Sequence, residues 1–326
     1  MSAAVRAAEK TLRPLAECVV VVTPRSFGLH DESLRDALEA EVGEVRYRPG
    51  PLAADALARE LGDADGLLAG VDELTAAVFE AAPRLRVVAR YGVGIDRVDL
   101  AAAARHDVTV TVTPGANANA VAELTIALLF ALARPLGEGR DRVRAGEWPA
   151  LRGSELQGRT LGLVGLGRIG TLVAAKAAAL GLRVLAHDPF VSDGGPAELV
   201  DLDTLAAESD FVSLHAPVTE RTRGLVGEEL LARLRPGAAL VNTARGELVD
   251  EAALVRALDD GRLRAAALDV LADEPPAAGH PLLGRDDVLV TPHMGPHTAE
   301  ATTAMGRIAL EELLAVLAGR APRYPA

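Results

Sequence analysis

Three polar residues close apolar runs in the last third of the chain: Arg245 after AALVNTA, Glu274 after ALDVLAD, and His293 at the end of LVTPH. Ligands in open α/β sheets bind beyond the carboxyl ends of the strands, so these side chains stand where chemistry is expected. An arginine grips a carboxylate with its fork of donors and polarises the adjacent carbonyl. A histidine gives a proton to a carbonyl oxygen as hydride arrives, or removes it in reverse. A glutamate on the other ring nitrogen fixes the imidazole tautomer. Together they suit hydride exchange between a nicotinamide and a 2-oxo acid. Plainer readings stand beside this one: Arg245 as a charge at a helix start, Glu274 as a turn residue, His293 as a cap.

The hydride carrier has its own signature. Leu161 to Gly170, LGLVGLGRIG, is an apolar run that meets Gly165, Gly167 and Gly170 in G-x-G-x-x-G spacing, with the helix formers TLVAAKAAAL following. The first glycine allows the sharp turn, the second lets the backbone approach a diphosphate, and the third lets helix and strand pack closely. Amides near Arg168 and Ile169, at the helix start, aim free N–H groups at the anion. A second apolar run, LRVLAHD, ends in Asp188, 18 residues beyond Gly170. There a carboxylate accepts from the adenosine ribose and repels a 2′-phosphate, which favours NAD over NADP. The alternative for Asp188 is a turn-forming Asp-Pro.

These residues need two sheets to hold them. From Glu17, strand-like CVVVVTP, EVRYRP, ADGLLAG, RLRVVARYG and VTVTVTP alternate with helix-like ESLRDALEA, LAADALAREL, LTAAVFEAA and LAAAARHD, as in a small doubly wound parallel sheet. ANANAVAELTIALLFALAR, 116–134, reads as a long apolar helix connecting domains, and 134–158 as polar and turn-rich. Six strands between Leu161 and His293 fit a full dinucleotide-binding sheet. A final helix from about Thr298 to Gly319 is expected to return to the first domain. The expected fold is therefore α/β: a Rossmann domain over 116–297, and a smaller, discontinuous, flavodoxin-like substrate domain over 1–115 and 298–326. The first 16 residues read as a short helical or frayed extension.

Composition narrows the partners. The 326 residues are enough for two cores. Forty-six acidic against 34 basic side chains give a net charge of -12, which argues against nucleic acid and anionic membrane surfaces. Cys18 is the lone cysteine, so no intrachain disulfide forms and a reducing compartment is expected. MSAAVRAAEKTLRPLAE lacks an apolar signal core, and no apolar run reaches the roughly 20 residues of a membrane span. A cytoplasmic location is expected, and no metal site is read from the sequence.

Seven segments in order, YGVGIDRVDL, TPGANANAVAELT, LGLVGLGRIG, SLHAPVTERT, VNTARGELVD, ALDVLADEPP and TPHMGPHT, resemble the D-isomer-specific 2-hydroxyacid dehydrogenases, and within them the D-3-phosphoglycerate dehydrogenase-like branch. The resemblance covers about 19–319. It implies that Arg245, Glu274 and His293 are the catalytic residues. It implies cofactor contacts at Arg168, Ile169, Asp188, His215, Ala216, Pro217, Thr222 and Gly295, with Thr243 and Ala244 near the nicotinamide half and Asp269 bonded to the carboxamide. His215 can instead simply end a strand with its side chain packed. A buried Asp269 needs a bonded partner in any case. The resemblance also places the substrate carboxylate on amides of Tyr91, Gly92, Val93 and Gly94, with Asn117 a candidate for its distal group; Arg245 and His293 complete the substrate contacts. The glycines of that loop tolerate unusual backbone geometry, though a bare turn reads the same way. Asn117 or Asn119 can equally cap the helix, and Trp148 reads as a packing residue on the connector.

The chain departs from the family pattern at Arg97, and at Pro296 and His297. Arg97 adds charge that favours a phosphorylated or phosphonate-bearing acid, or is a solvated surface arginine. His297 is a second anion or proton contact, or the cap of the last helix. No regulatory domain is expected after the returning helix. The resemblance implies a homodimer through the nucleotide domain. An NAD-sensing binding protein, similar to the C-terminal binding proteins, is the alternative to an enzyme.

Overall fold

The computed structural model describes residues 12–326, so residues 1–11 of the expected N-terminal extension lie outside the described residues. Leu15–Glu17 form a single 3-10 turn. The chain divides into two compact units, one made of the described residues up to Asn117 together with His297–Ala326, the other of Ala118–Pro296.

The first unit alternates β1 (Val19–Val22), α1 (Ser33–Glu41), β2 (Glu44–Tyr47), α2 (Ala54–Leu61), β3 (Gly66–Ala69), α3 (Ala76–Glu80), β4 (Val87–Arg90), α4 (Leu100–Arg105) and β5 (Thr109–Thr111). Its strands pair in the order β2-β1-β3-β4-β5, every pair parallel, which is the flavodoxin-like order. The β-branched run of β1 and the wholly buried β3 and β4 suit a sheet covered on both faces. Leu57, Leu61, Val78 and Phe79 fill one face.

The second unit holds α5 (Ala118–Ala133), α6 (Leu136–Arg144), β6 (Thr160–Val164), α7 (Arg168–Ala179), β7 (Arg183–His187), β8 (Glu198–Leu199), α8 (Leu202–Glu208), β9 (Phe211–Leu214), α9 (Glu228–Arg233), β10 (Ala238–Asn242), α10 (Glu251–Asp259), β11 (Leu263–Leu268) and β12 (Val288–Val290). The order is β12-β11-β10-β9-β6-β7-β8, again all parallel, with its reversal between β6 and β9. That is the Rossmann arrangement. Helix α5 is apolar on most sides because it is a core helix of this unit, packing on α7, β10 and β11. The last helix, α11 (Ala299–Leu317), belongs to the first unit, where Ala309, Leu310, Leu313 and Leu317 close the other face of that sheet beside Phe27 and Leu38.

Three expectations are corrected. The nucleotide sheet has seven strands rather than six. The extra one, β8, is two residues long, pairs Glu198 and Leu199 with Leu185 and Ala186, and is too short to show a period. The stretch 134–158 contains the helix α6, which buries no side chain and so lacks an apolar stripe. Trp148 is 90% exposed rather than packed, because the segment around it has no covering element in this unit. Among the described residues, no single helix is long and apolar enough to cross a membrane.

Candidate active site

The switch in strand order puts the ends of β6 and β9 side by side, and the glycine turn grows out of β6 there. Gly165 has φ +97°, and a Cβ on it would stand 2.7 Å from the His215 carbonyl. A Cβ on Gly170 would stand 2.3 Å from the Gly165 carbonyl oxygen, so helix α7 lies against the turn only because that atom is missing. Gly167 is different: a Cβ there would meet nothing within 4 Å. It is the N-cap of α7 and brings no side chain to the first-turn amides of Arg168 and Ile169. Open space over an uncapped helix start is a cradle that fits a diphosphate.

Asp188 follows β7 and faces that turn. Its Oδ2 accepts from the Leu166 N–H at 2.8 Å and its Oδ1 from the Phe190 N–H at 3.0 Å. The carboxylate thus forms the Asp-Pro turn and also pins the glycine loop, with lone pairs left on both oxygens. His215 begins the crossover after β9. Its amide donates to the Val164 carbonyl at 2.7 Å, and its Nε2 lies 2.9 Å from Ser213 Oγ. Burial pushes its pKa down to about 4, so the ring is neutral at pH 7. Beyond Ala216, Thr222 Oγ1 donates to the Pro217 carbonyl at 2.6 Å and accepts from the Thr219 N–H at 2.7 Å, which folds the 217–222 turn. Thr243, at the end of β10, is buried with its hydroxyl 3.0 Å from that of Thr125 on α5.

Beyond β10, β11 and β12 three loops converge. Glu274 Oε2 lies 2.7 Å from His293 Nδ1, and Glu274 Oε1 accepts from the Leu271 N–H at 3.1 Å. A carboxylate only accepts, so Nδ1 carries the hydrogen and Nε2 is the nitrogen left for other partners. Both side chains are about a third exposed or less, enough for contact with a small molecule. His293 has φ +50°, left-handed geometry that a non-glycine residue adopts at a cost on the order of 1 kcal/mol. Asp269 holds it there. The Asp269 carbonyl accepts from the His293 N–H at 2.8 Å. Its Oδ1 takes the Thr291 hydroxyl (2.6 Å) and the Met294 N–H (2.9 Å), and its Oδ2 the Gly295 N–H (2.8 Å). Asp269 is 1% exposed, and these three donors are the partners its burial demands.

Arg245 extends past β10, with its Nη1 donating to the Ala244 carbonyl at 2.6 Å. Two neighbours that the sequence reading passed over set its loop. Asn242, fully buried, donates to the Arg245 carbonyl at 2.7 Å and accepts from the Ala244 N–H at 3.0 Å. Gly246 packs so tightly on the segment leading to Glu274 that a Cβ would fall 2.0 Å from the Leu271 carbonyl carbon. An asparagine inside an apolar strand and a glycine directly after the arginine were the signals available. The structure thus bonds Glu274 to His293 and seats the Arg245 loop against the Glu274 loop.

Tyr91–Gly94 and Asn117 belong to the first unit. The Tyr91 amide donates to the Ala69 carbonyl, and the Gly92 carbonyl accepts from Thr113. Arg90, buried, donates through Nε to the Gly94 carbonyl at 3.0 Å and through Nη1 to the Gly70 carbonyl. Gly92 has φ +151° and open space where a Cβ would be. Tyr91 anchors the loop by donating its hydroxyl to the Thr302 carbonyl at 2.6 Å. Three cap and charge expectations resolve here. Asn119 lies within α5 and donates to Glu123 rather than capping the helix. Thr298, not His297, caps α11, accepting from the Ala301 N–H at 3.1 Å. Arg97 is exposed, with its backbone carbonyl tied to the Leu74 amide.

Residues 126–295 match the model of the D-isomer specific 2-hydroxyacid dehydrogenase NAD binding domain. The chain belongs to that family. Its nucleotide is accordingly NAD(H). D-3-phosphoglycerate dehydrogenase of Methanocaldococcus jannaschii is 41% identical over 299 residues, 89% of this chain and 56% of the relative. This chain spans about half the length of such relatives. A hydroxypyruvate reductase of Thermotoga maritima is 41% identical over 83% of this chain and 90% of its own length. Among solved structures, the TT0316 protein of Thermus thermophilus superposes with a TM-score of 0.86 at 42% identity, over 94% of this chain and 99% of that one.

Proposed function

We propose that this 2-hydroxyacid dehydrogenase family member interconverts a small anionic 2-oxo acid and its D-2-hydroxy acid with NAD(H). The observation that carries the reading is the 2.7 Å Glu274–His293 pair beside the Arg245 loop, at the carboxyl ends of three adjacent strands. NAD(H), when bound, supplies or takes the hydride. In reduction His293 Nε2 gives the proton that the carbonyl oxygen needs, and in oxidation it takes that proton back. Glu274 keeps Nδ1 as a donor, so Nε2 faces the substrate. Arg245 holds the substrate carboxylate and polarises the carbonyl. On the cofactor, Gly165, Gly167, Gly170, Arg168 and Ile169 cradle the diphosphate, and Asp188 takes the adenosine ribose. His215, Ala216, Pro217 and Thr222 border the nucleotide, while Thr243, Ala244, Asp269 and Gly295 border the nicotinamide carboxamide. Amides of Tyr91, Gly92, Val93 and Gly94 meet the acid's carboxylate, with Asn117 toward its far end.

Relatives carry the names D-3-phosphoglycerate dehydrogenase and hydroxypyruvate reductase, and 3-phosphoglycerate with phosphohydroxypyruvate is the substrate pair proposed first, with phosphonopyruvate as an analogue. Loss of NADH absorbance with glyoxylate, hydroxypyruvate, pyruvate, phosphohydroxypyruvate and phosphonopyruvate tests this. Turnover of at least one is expected; no consumption of NADH with any of them removes the enzyme reading. We also place the protein in a reducing, cytoplasmic setting, which suits the buried free thiol of Cys18. We infer a homodimer through the second unit, supported by Leu136, Val143 and Trp148, exposed apolar side chains grouped on one segment of it.

A further inference from the structure

The carboxyl end of the nucleotide sheet holds the chemistry described above, and the opposite end carries a separate cavity. At the amino ends of β6, β9, β10 and β11 a pocket of about 350 Å³ is lined by Arg152, Arg159 and Arg264, with Asp210, Phe211 and Leu132. One strand length separates it from the glycine turn, since Arg159 precedes β6 and Gly165 follows it. That is about 16 Å for five residues at ~3.3 Å each.

The charges in this pocket do not balance. Asp210 is its one carboxylate, and it is already engaged. Its Oδ2 accepts from the Thr160 N–H at 2.9 Å, and its Oδ1 faces Arg235 Nη1 at 2.9 Å and Arg159 Nη1 at 3.5 Å. Arg264 has no acid of its own. It donates to the Leu132 carbonyl at 2.8 Å and the Gly237 carbonyl at 3.3 Å, and its guanidinium lies 5.5 Å from the centre of the Phe211 ring. Carbonyls and a ring face fix where that guanidinium points without cancelling its charge. Burial first and then the neighbouring charge of Arg159 work against it, and the attraction of Asp210 only partly offsets them. Arg152, which also lines the pocket, has no bonded partner among the described residues. A chain with a net charge of -12 therefore gathers three guanidinium groups and one carboxylate at one concave spot, with Asp210 facing Arg159 and a net positive charge left over.

We infer that this pocket is a second ligand site, distinct from the dinucleotide and substrate positions, and that it takes a small doubly charged oxyanion. Planar guanidinium forks grip phosphate and carboxylate oxygens in pairs, so phosphate esters and dicarboxylates share the chemistry it reads. The Leu132 and Phe211 wall accommodates a short carbon body beside the charged end. The volume is that of a small metabolite site.

Calorimetric titration of the full chain, saturated with NADH so that the diphosphate cradle is filled, tests this. Inorganic phosphate and malonate are the two probes, each against chloride at equal ionic strength. In Arg245→Ala, whose substrate site has lost its carboxylate grip, one phosphate or one malonate per chain is expected to bind above the chloride control. Phosphate alone would assign a phosphate ester, malonate alone a dicarboxylate, and both the whole oxyanion class. Added to Arg245→Ala, Arg264→Gln and Arg152→Gln are each expected to weaken this binding at least tenfold. Arg152→Gln keeps the test standing if Arg264→Gln fails to fold, because Arg152 is exposed and holds no other segment. No binding of either probe to Arg245→Ala, or unchanged affinity when Arg152→Gln is added to it, overturns the inference.

Discussion

His293 is the residue on which the geometry spends most. Its backbone sits in the left-handed region, its amide is held by the Asp269 carbonyl, and its ring is held by Glu274. Glu274→Gln replaces a carboxylate, which only accepts, by an amide that accepts or donates. Loss of about tenfold or more in kcat with little change in NADH affinity is expected; unaltered kinetics would detach Glu274 from the proton step. Gly246 is the clearest steric test, because no rotation of a Cβ relieves contact with the Leu271 backbone. Gly246→Ala is expected to cost more than about 3 kcal/mol in denaturant unfolding, and a loss under 1 kcal/mol would contradict the packing. His215 gives a test in pH. Its folded pKa, about 4, lies below the usual 6.5, so between those values the unfolded chain binds the extra proton. Stability from this group is therefore full above pH 6.5 and falls toward pH 4, by at most roughly 3 kcal/mol. His215→Gln should flatten that part of the urea-midpoint pH profile, and an unchanged profile would refute it.

Among the elements, the strand–turn–helix of β6 and α7 was legible because its signal is local: an apolar run, three spaced glycines, then helix formers. The five strands of the first unit were legible for the same reason. The helix α6 and the strand β8 were not, since a helix with no buried face and a two-residue strand carry no period. The pairing of Glu274 with His293 could be anticipated from strand ends. The parts played by Asn242, Gly246 and Thr291 could not, because each depends on backbone from a neighbouring loop brought close only by the parallel sheet. Asp188 spans both cases, a ribose acceptor by motif and a clasp on the Leu166 amide by structure. Asp188→Ser is expected to raise the KM for NADH about tenfold or more and to narrow the preference against NADPH. Steady-state kinetics with both cofactors decide it, and an unchanged ratio would count against the ribose assignment.

At the scale of the molecule, two parallel sheets of different strand order present two kinds of surface. The nucleotide-binding unit carries the Glu274–His293 pair at one end of seven strands and an arginine-rich pocket at the other. It also leaves a tryptophan 90% exposed on the segment after α6. The homodimer proposed above would cover that segment with a second copy of the chain. Sedimentation equilibrium is expected to give twice 33.9 kDa, and Trp148→Glu to shift the population toward 33.9 kDa. A wild-type protein that sediments as a single chain would exclude the dimer. Such a result would leave the proposed proton transfer, which rests on the Glu274–His293 pair within one chain, untouched.

That chemistry is tested most directly by the turnover number of His293→Ala with hydroxypyruvate or phosphohydroxypyruvate, measured beside NADH affinity from nucleotide fluorescence. A fall of at least a hundredfold in kcat with NADH binding within a few-fold of wild type is expected. Turnover close to wild type, with the cofactor bound as before, would contradict the assignment of the proton to His293.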